Sequence, residues 1–200
     1  HISVVDDLTK MPGAKWFSGA SLNYAENLLR YRDDHIALQF RGEDQIKRSV
    51  TYAELYSLVA RTAEAMKSLG VKKGDRVAGF IPNLPEAIIA MLAASSIGAI
   101  WSSSSPDFGI KGVLDRFSQI EPKVVFAADG YFYGGKRFDS LDKLRGILAE
   151  LPSVEKVVII PYASTPDLSA LDNSILWDDF IDNRASELTF TPLPFDHPLY

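Results

Sequence analysis

From Thr51 onward the apolar positions follow two rhythms in turn. Leu55, Leu58, Val59, Thr62, Met66 and Leu69 recur at helical spacing. Thr51 and Glu54 stand as a capping box ahead of them, and Gly70 occupies the place where a helix ends in a left-handed residue. The chain then turns through KKGDR into the apolar run VAGFIP. The same alternation returns three times. A helix in PEAIIAMLAASSI, opened by Asn83 and Pro85 and closed by Gly98, precedes a strand near AIWSS. A helix in GIKGVLDRFSQI precedes the strand VVFAAD, and a helix in SLDKLRGILAEL precedes the strand KVVIIP. Apolar strands separated by amphipathic helices imply right-handed crossovers and a parallel sheet buried on both faces. The expected class is α/β, a doubly wound, mostly parallel sheet with helices on both faces and strands near Val77, Ile100, Val125 and Val158.

The first fifty residues lack this rhythm. A short helix is expected in LNYAENLLRY, and HIALQF with IKRSVTY around RGEDQ predicts a β-hairpin. Residues 1–50 are therefore expected to be a lead-in and residues 51–200 an α/β unit. Beyond Pro161, YASTPDLSALDNS is expected as a polar loop, ILWDDFID as a short helix, and the proline-studded LTFTPLPFDHPLY as extended chain. Starting at His1 and running out in a strand-like HPLY, the sequence has the look of a fragment of a longer protein. It shows no repeat and no low-complexity tract.

Composition narrows the function. At 46% hydrophobic over 200 residues the chain can bury a sizeable core. A formal net charge of -5 argues against nucleic acid and against anionic membrane surfaces as partners. The absence of cysteine removes disulfides, thiolate nucleophiles and cysteine zinc sites, and fits the cytoplasm. The longest apolar run, AIIAMLAASSIGAIW, is too short to span a bilayer. Small-molecule substrates are the expected partners, and oligomeric state leaves no mark on the sequence.

Two clusters invite a chemical reading. The serines at 102–105 fall at the carboxyl end of an expected strand, where open α/β sheets place ligands. No G-x-S-x-G elbow surrounds them, and His1, His35 and His197 have no triad context. They are read as scaffold in a strand-to-loop transition before Pro106, with Asp107 capping the next helix. Residues 130–136 spell G-x-x-x-x-G-K after a strand, and backbone N–H groups with a lysine can cradle phosphate oxygens. Arg137, however, stands where Ser or Thr must ligate Mg²⁺, and FYGG brings aromatics into a loop that needs small geometry. A nucleotide-hydrolysing phosphate loop is disfavoured. Two readings remain open: a glycine turn with solvated Lys136 and Arg137, or a glycine and basic surface that meets phosphate without magnesium. The neighbouring carboxylates Asp6 and Asp7, Asp33 and Asp34, and Asp178 and Asp179 do not share a face as an acid/base pair would. No set of side chains has metal-ligand spacing. Trp16, Phe17 and Trp101 are expected as core or docking anchors.

The stretches MPGAKWFSGASLNYAENLL, TYAEL with LGVKKGDRVAGFIPN, and GAIWSSSSPDFG with DRFSQIEPKVVFAADGYFYGGK resemble the adenylate-forming acyl-CoA synthetases, from about residue 11 to the end. The wording NYAENLL and SPDFG is similar to the branch of that family whose acid is acetoacetate. The resemblance implies a two-step reaction: a carboxylate attacks ATP·Mg²⁺ to give an acyl-adenylate and pyrophosphate, and coenzyme A then takes the acyl group. ATP, Mg²⁺ and coenzyme A are the implied cofactors. The family's phosphate loop and its adenine, ribose and catalytic-lysine motifs should follow HPLY, so no catalytic residue is implied here and this piece is expected to be inactive by itself. In the acetyl-CoA synthetase branch a short basic and glycine segment after the corresponding strand binds coenzyme A phosphates. Tyr133, Gly134, Gly135 and Lys136 align with it and are the implied cofactor-binding residues, Tyr133 standing where that branch has arginine. A non-catalytic module that binds coenzyme A or a nucleotide is the rival reading, and a phosphate-loop phosphotransferase a distant third.

Overall fold

The computed structural model describes residues 2–43, 46–181 and 184–200. In chain order the elements are β1 (Ser21–Leu22), α1 (Tyr24–Leu28), β2 (Ile36–Gly42), β3 (Ile46–Thr51), α2 (Tyr52–Ser68), β4 (Arg76–Phe80), α3 (Pro85–Ser96), β5 (Ile100–Ser104), α4 (Ile110–Ile120), β6 (Val124–Ala128), β7 (Gly130–Tyr133), β8 (Lys136–Asp139), α5 (Leu141–Leu148), β9 (Lys156–Ile160), β10 (Ser174–Leu176), α6 (Trp177–Phe180) and β11 (Leu193–Pro194). The central sheet has five strands in the order β10-β9-β6-β4-β5, every neighbouring pair parallel. The strands expected at Val77, Ile100, Val125 and Val158 are β4, β5, β6 and β9.

Strand alternation sorts the core into two layers. Val124, Phe126 and Ala128 of β6 pack with α2, α3 and α6, while Val125 and Ala127 of the same strand pack with α4 and α5. Val158 and Ile160 of β9 repeat the first choice, and Val157 and Ile159 the second. Both faces of the sheet are thus covered by helices, as an apolar parallel sheet requires. Phe126, fully buried, sits at the centre of the first layer, with ring centroids 6.3 Å from Trp101, 5.9 Å from Trp177 and 5.7 Å from Phe180.

Helix α2 begins as its sequence dictates. The Glu54 N–H donates to Thr51 Oγ1, and the Thr51 N–H donates to Glu54 Oε2 at 2.8 Å. Gly70 follows in the left-handed region, φ 76°. Three local expectations are corrected. Asp107 does not cap α4: Gly109 is the N-cap, without a side-chain hydrogen bond, because Phe108 and Gly109 intervene between the aspartate and the first turn. Likewise Leu84 and not Asn83 occupies the N-cap of α3, with Pro85 opening the helix. The segment ILWDDFID is only partly helical. Ile175 and Leu176 belong to β10, the fifth strand of the sheet, and the helix is confined to Trp177–Phe180.

The lead-in folds as expected, with α1 short and β2 paired antiparallel to β3. Asn23 ties it to the sheet layer. Its Oδ1 accepts from the Ala25 and Glu26 N–H groups, and its Nδ2 donates to the carbonyls of Ser95, Ser96 and Thr191. Residues 44–45, within the expected RGEDQ turn, and 182–183, at the end of ILWDDFID, lie outside the described residues.

Candidate functional site

The sequence GYFYGGKRFD forms an antiparallel hairpin, β7 with β8, directly after the central strand β6. Tyr133 and Lys136 face each other across a two-residue turn made by Gly134 and Gly135. Both glycines have positive φ, 59° and 74°, the pattern of a type I′ turn, in which a side chain would be strained. The phosphate-loop reading ends here. A strand and not a helix follows Lys136, so no helix N-terminus is available to a phosphate at this turn.

The hairpin leans against a second one. Glu43, at the end of β2, receives both glycine N–H groups: Gly134 donates to Oε1 at 2.7 Å and Gly135 to Oε2 at 3.0 Å. Glu43 itself lies in the left-handed region, φ 49°. The preceding residue must be glycine, since a Cβ at position 42 would collide with the Tyr162 hydroxyl. Tyr162 meets Phe40 and Phe132 edge to face, with centroids 5.8 and 5.4 Å apart. Burial pushes the Tyr162 phenol above its ordinary pKa, and the nearby Glu43 charge adds to the shift.

Tyr162 is held in turn by Asp129, a buried carboxylate between β6 and β7. Asp129 Oδ1 accepts from the N–H groups of Tyr162 and Ala163 at 2.7 and 2.8 Å, and Oδ2 accepts from the Ser164 N–H and hydroxyl at 2.6 Å each. A carboxylate with four donors needs no counter-ion to be stable in place.

Between these elements and the carboxyl ends of β4 and β5 lies an open cavity of about 760 Å³. Its wall is aromatic on the hairpin side, with Tyr131, Phe132, Tyr133 and Tyr162, and polar on the sheet side, with Asn83 and the serines at 103–105. Of the serine run, Ser103, Ser104 and Ser105 line this cavity, while Ser102, also in β5, lines a different one. Ser104 Oγ is buried with no hydrogen-bond partner. Of the sequence-derived site residues, Tyr133 lines the cavity and is 75% exposed. Gly134, Gly135 and Lys136 form the exposed tip just outside the lining. Arg137 reaches away, its guanidinium donating to the Ala163 carbonyl at 3.5 Å.

Sequence reasoning missed Glu43 and the aromatic wall. The hairpin itself had a signal, Gly-Gly between the aromatic-rich runs YFY and KRF, which is a hairpin signature. Among the described residues no group of three or more His, Asp and Glu side chains is placed to hold a metal ion, and no helix is long and apolar enough to cross a membrane.

A cavity at the carboxyl ends of parallel strands, faced by a basic glycine turn, suits a phosphorylated organic ligand. Comparison with known proteins bears on the chain as a whole. Residues 25–194 match the AMP-binding enzyme family over most of the chain. The chain belongs to that family. Among AMP-binding enzymes it is 50% identical over 196 residues to acetoacetyl-CoA synthetase of Macaca fascicularis, covering 93% of this chain and 29% of the relative. It is 48% identical over 199 residues to acetoacetyl-coenzyme A synthetase of Rhizobium meliloti, covering 97% of this chain and 30% of the relative. The fold superposes on acetoacetyl-CoA synthetase from Streptomyces lividans with a TM-score of 0.92 at 43% identity, over 99% of this chain and 30% of that one. The chain thus spans less than a third of the length of the AMP-binding relatives it matches, and it matches their N-terminal part.

Proposed function

We propose that this chain serves as the N-terminal part of an AMP-forming acetoacetate–CoA ligase, and that the cavity beside the β7–β8 hairpin receives coenzyme A. The carrying observation is the glycine turn. Two adjacent N–H groups of Gly134 and Gly135 already hold an anion, the Glu43 carboxylate, in the turn that leads into Lys136, next to a cavity large enough for an organic ligand. In the full-length ligase the acid attacks ATP·Mg²⁺ to give the acyl-adenylate, and the coenzyme A thiol then displaces AMP. ATP and Mg²⁺ are assigned to the rest of the ligase, where the family resemblance puts the phosphate loop and the adenine, ribose and catalytic-lysine motifs. What this chain supplies is placement of the coenzyme. Lys136 contacts a coenzyme A phosphate, the side-chain-free turn permits close approach, and Tyr133 with its aromatic neighbours walls the cavity. The enzyme is read as cytoplasmic, with residues 1–50 as a lead-in to the α/β unit 51–200.

The test is Lys136→Ala in the full-length ligase. A hydrogen bond to a charged group contributes about 1.5–3 kcal/mol, so coenzyme A binding should weaken by about 10- to 150-fold, toward the lower figure because Lys136 is exposed. ATP–pyrophosphate exchange with acetoacetate, which needs no coenzyme A, should stay close to wild type. Arg137→Ala, tied back to Ala163, should do less. An unchanged coenzyme A dependence in Lys136→Ala would leave the hairpin as a turn only, and a parallel loss of exchange would assign Lys136 to folding or to the nucleotide.

A further inference from the structure

The Glu43 carboxylate occupies the two N–H groups that an anion approaching this turn would need. Its two oxygens take the two N–H groups of the Gly134–Gly135 turn, one each, at 2.7 and 3.0 Å. Those N–H groups cannot serve a ligand at the same time, since each has a single proton to donate. A phosphate presents the same sign of charge and the same pair of acceptor oxygens, so the two anions are competitors for one seat.

The seat is also held under tension. Glu43 is a non-glycine residue at φ 49°, a conformation that costs energy and persists only where surrounding contacts enforce it. Gly42, pressed against the Tyr162 hydroxyl, fixes the approach of the chain, and the two glycine N–H groups fix the carboxylate. Loss of the carboxylate contact lets the backbone at Glu43 relax.

We propose that Glu43 is a built-in occupant of the anion seat, which a coenzyme A phosphate must displace, so that Glu43 sets the affinity threshold of the site. This rests on reading the hairpin as a coenzyme A phosphate site. A ligand that binds only when the seat is vacant has its affinity reduced by the vacant fraction. A seat occupied for about 80–97% of the time therefore weakens phosphate binding about 5- to 30-fold. Removing the carboxylate returns that factor and also removes a like charge facing the incoming phosphate. The alternative is a clamp, in which Glu43 holds the turn in shape for Lys136 and never leaves; it predicts the opposite sign.

The experiment follows the Gly134 and Gly135 amide resonances and the Glu43 side-chain carboxyl carbon of the 200-residue chain by NMR, during titration with adenosine 3′,5′-bisphosphate, with adenosine as the uncharged control and inorganic pyrophosphate as a second anion. In the wild-type chain the bisphosphate should move both amides and the Glu43 carboxyl carbon together. Glu43→Gln and Glu43→Ala should both bind the bisphosphate about 5- to 30-fold more tightly, with adenosine unaffected. Weaker or unchanged binding in both variants overturns the proposal, as does a wild-type titration in which the amides respond while the Glu43 carboxyl carbon stays in place. If the bisphosphate fails in every form but pyrophosphate displaces Glu43, the coenzyme A reading falls and the seat stands. If neither anion moves the two amides in the variants, the seat falls.

Discussion

Asp129 is the side chain on which the cavity wall depends, and replacing it should separate wall from core. The carboxylate is 1% exposed and accepts four hydrogen bonds, three of them from consecutive backbone N–H groups at positions 162–164. Hydrogen bonds to charged groups contribute about 1.5–3 kcal/mol each, so the gross figure for four is about 6–12 kcal/mol. The net loss in Asp129→Ala is smaller. Tyr162 and Ala163 are half-buried and Ser164 exposed, so water can reach part of the vacated donors. About 3–5 kcal/mol is the expected cost, the range for removing one side of a buried, charge-assisted contact. For a chain of this size that lowers Tm by about 6–20 °C. Asp129→Asn keeps one acceptor oxygen but turns an NH₂ toward donors, and should fall between alanine and wild type. The assay is urea unfolding of the three forms, reading the midpoint at constant slope so that the shift reports stability and not a changed unfolded state. A cost under about 1 kcal/mol for Asp129→Ala would refute the reasoning, since three N–H groups stripped of their acceptor and only partly open to water cannot be so cheap.

Two further outcomes follow from the same geometry. Burial first, and the Glu43 charge second, raise the Tyr162 pKa. The fold therefore favours the neutral phenol: this share of stability is full below the unfolded value of about 10 and is lost as pH rises through the higher folded value. Difference titration of tyrosinate absorbance between wild type and Tyr162→Phe should show the raised value, and Glu43→Gln should lower it only in part; a full return to the ordinary value would mean that charge and not burial is the main cause. In the core, Phe126→Ala removes a fully buried ring touching three other aromatics and should cost about 3–5 kcal/mol in the same urea assay, while a cost near 1 kcal/mol would show that the layer can collapse around the gap.

What could be read in advance was whatever repeats locally. The Thr51–Glu54 cap lies within four residues, and the apolar runs at 77–80, 124–128 and 157–160 are long enough to declare buried strands, so β4, β6 and β9 and the helices between them follow from spacing. Strand β10 did not, because three residues cannot show a period and its conformation is set by pairing to β9. The Gly-Gly hairpin was legible but obscured by its own partial match to a phosphate loop, a motif whose glycines and lysine it shares and whose following helix it lacks. Lys136 and the two glycines came from a family likeness and a turn. Glu43 could not come from either: its partners lie 91 and 92 residues away, and nothing in RGEDQ marks the glutamate as facing a distant turn.

The cavity is therefore held together differently from the sheet beneath it. Residues 124–128 are wholly buried and sandwiched between two helical layers, whereas Tyr133, Gly134, Gly135 and Lys136, only a few residues on, are exposed. Between these two regimes the chain places carboxylates. Asp129 gathers the loop after β9 at the very end of β6, and Glu43 gathers the hairpin tip from the outside. Apolar packing resists any rearrangement that opens a void, while a carboxylate on N–H donors can be exchanged for another anion or for water at modest cost. Of the two, Asp129 is buried and multiply bonded and so is permanent; Glu43 is half-buried, strained in its backbone and bonded to only two N–H groups. A wall fixed at one end by the first and latched at the other by the second would let the occupant at the tip change without disturbing the core, which is what the proposed coenzyme site at the edge of a rigid sheet requires.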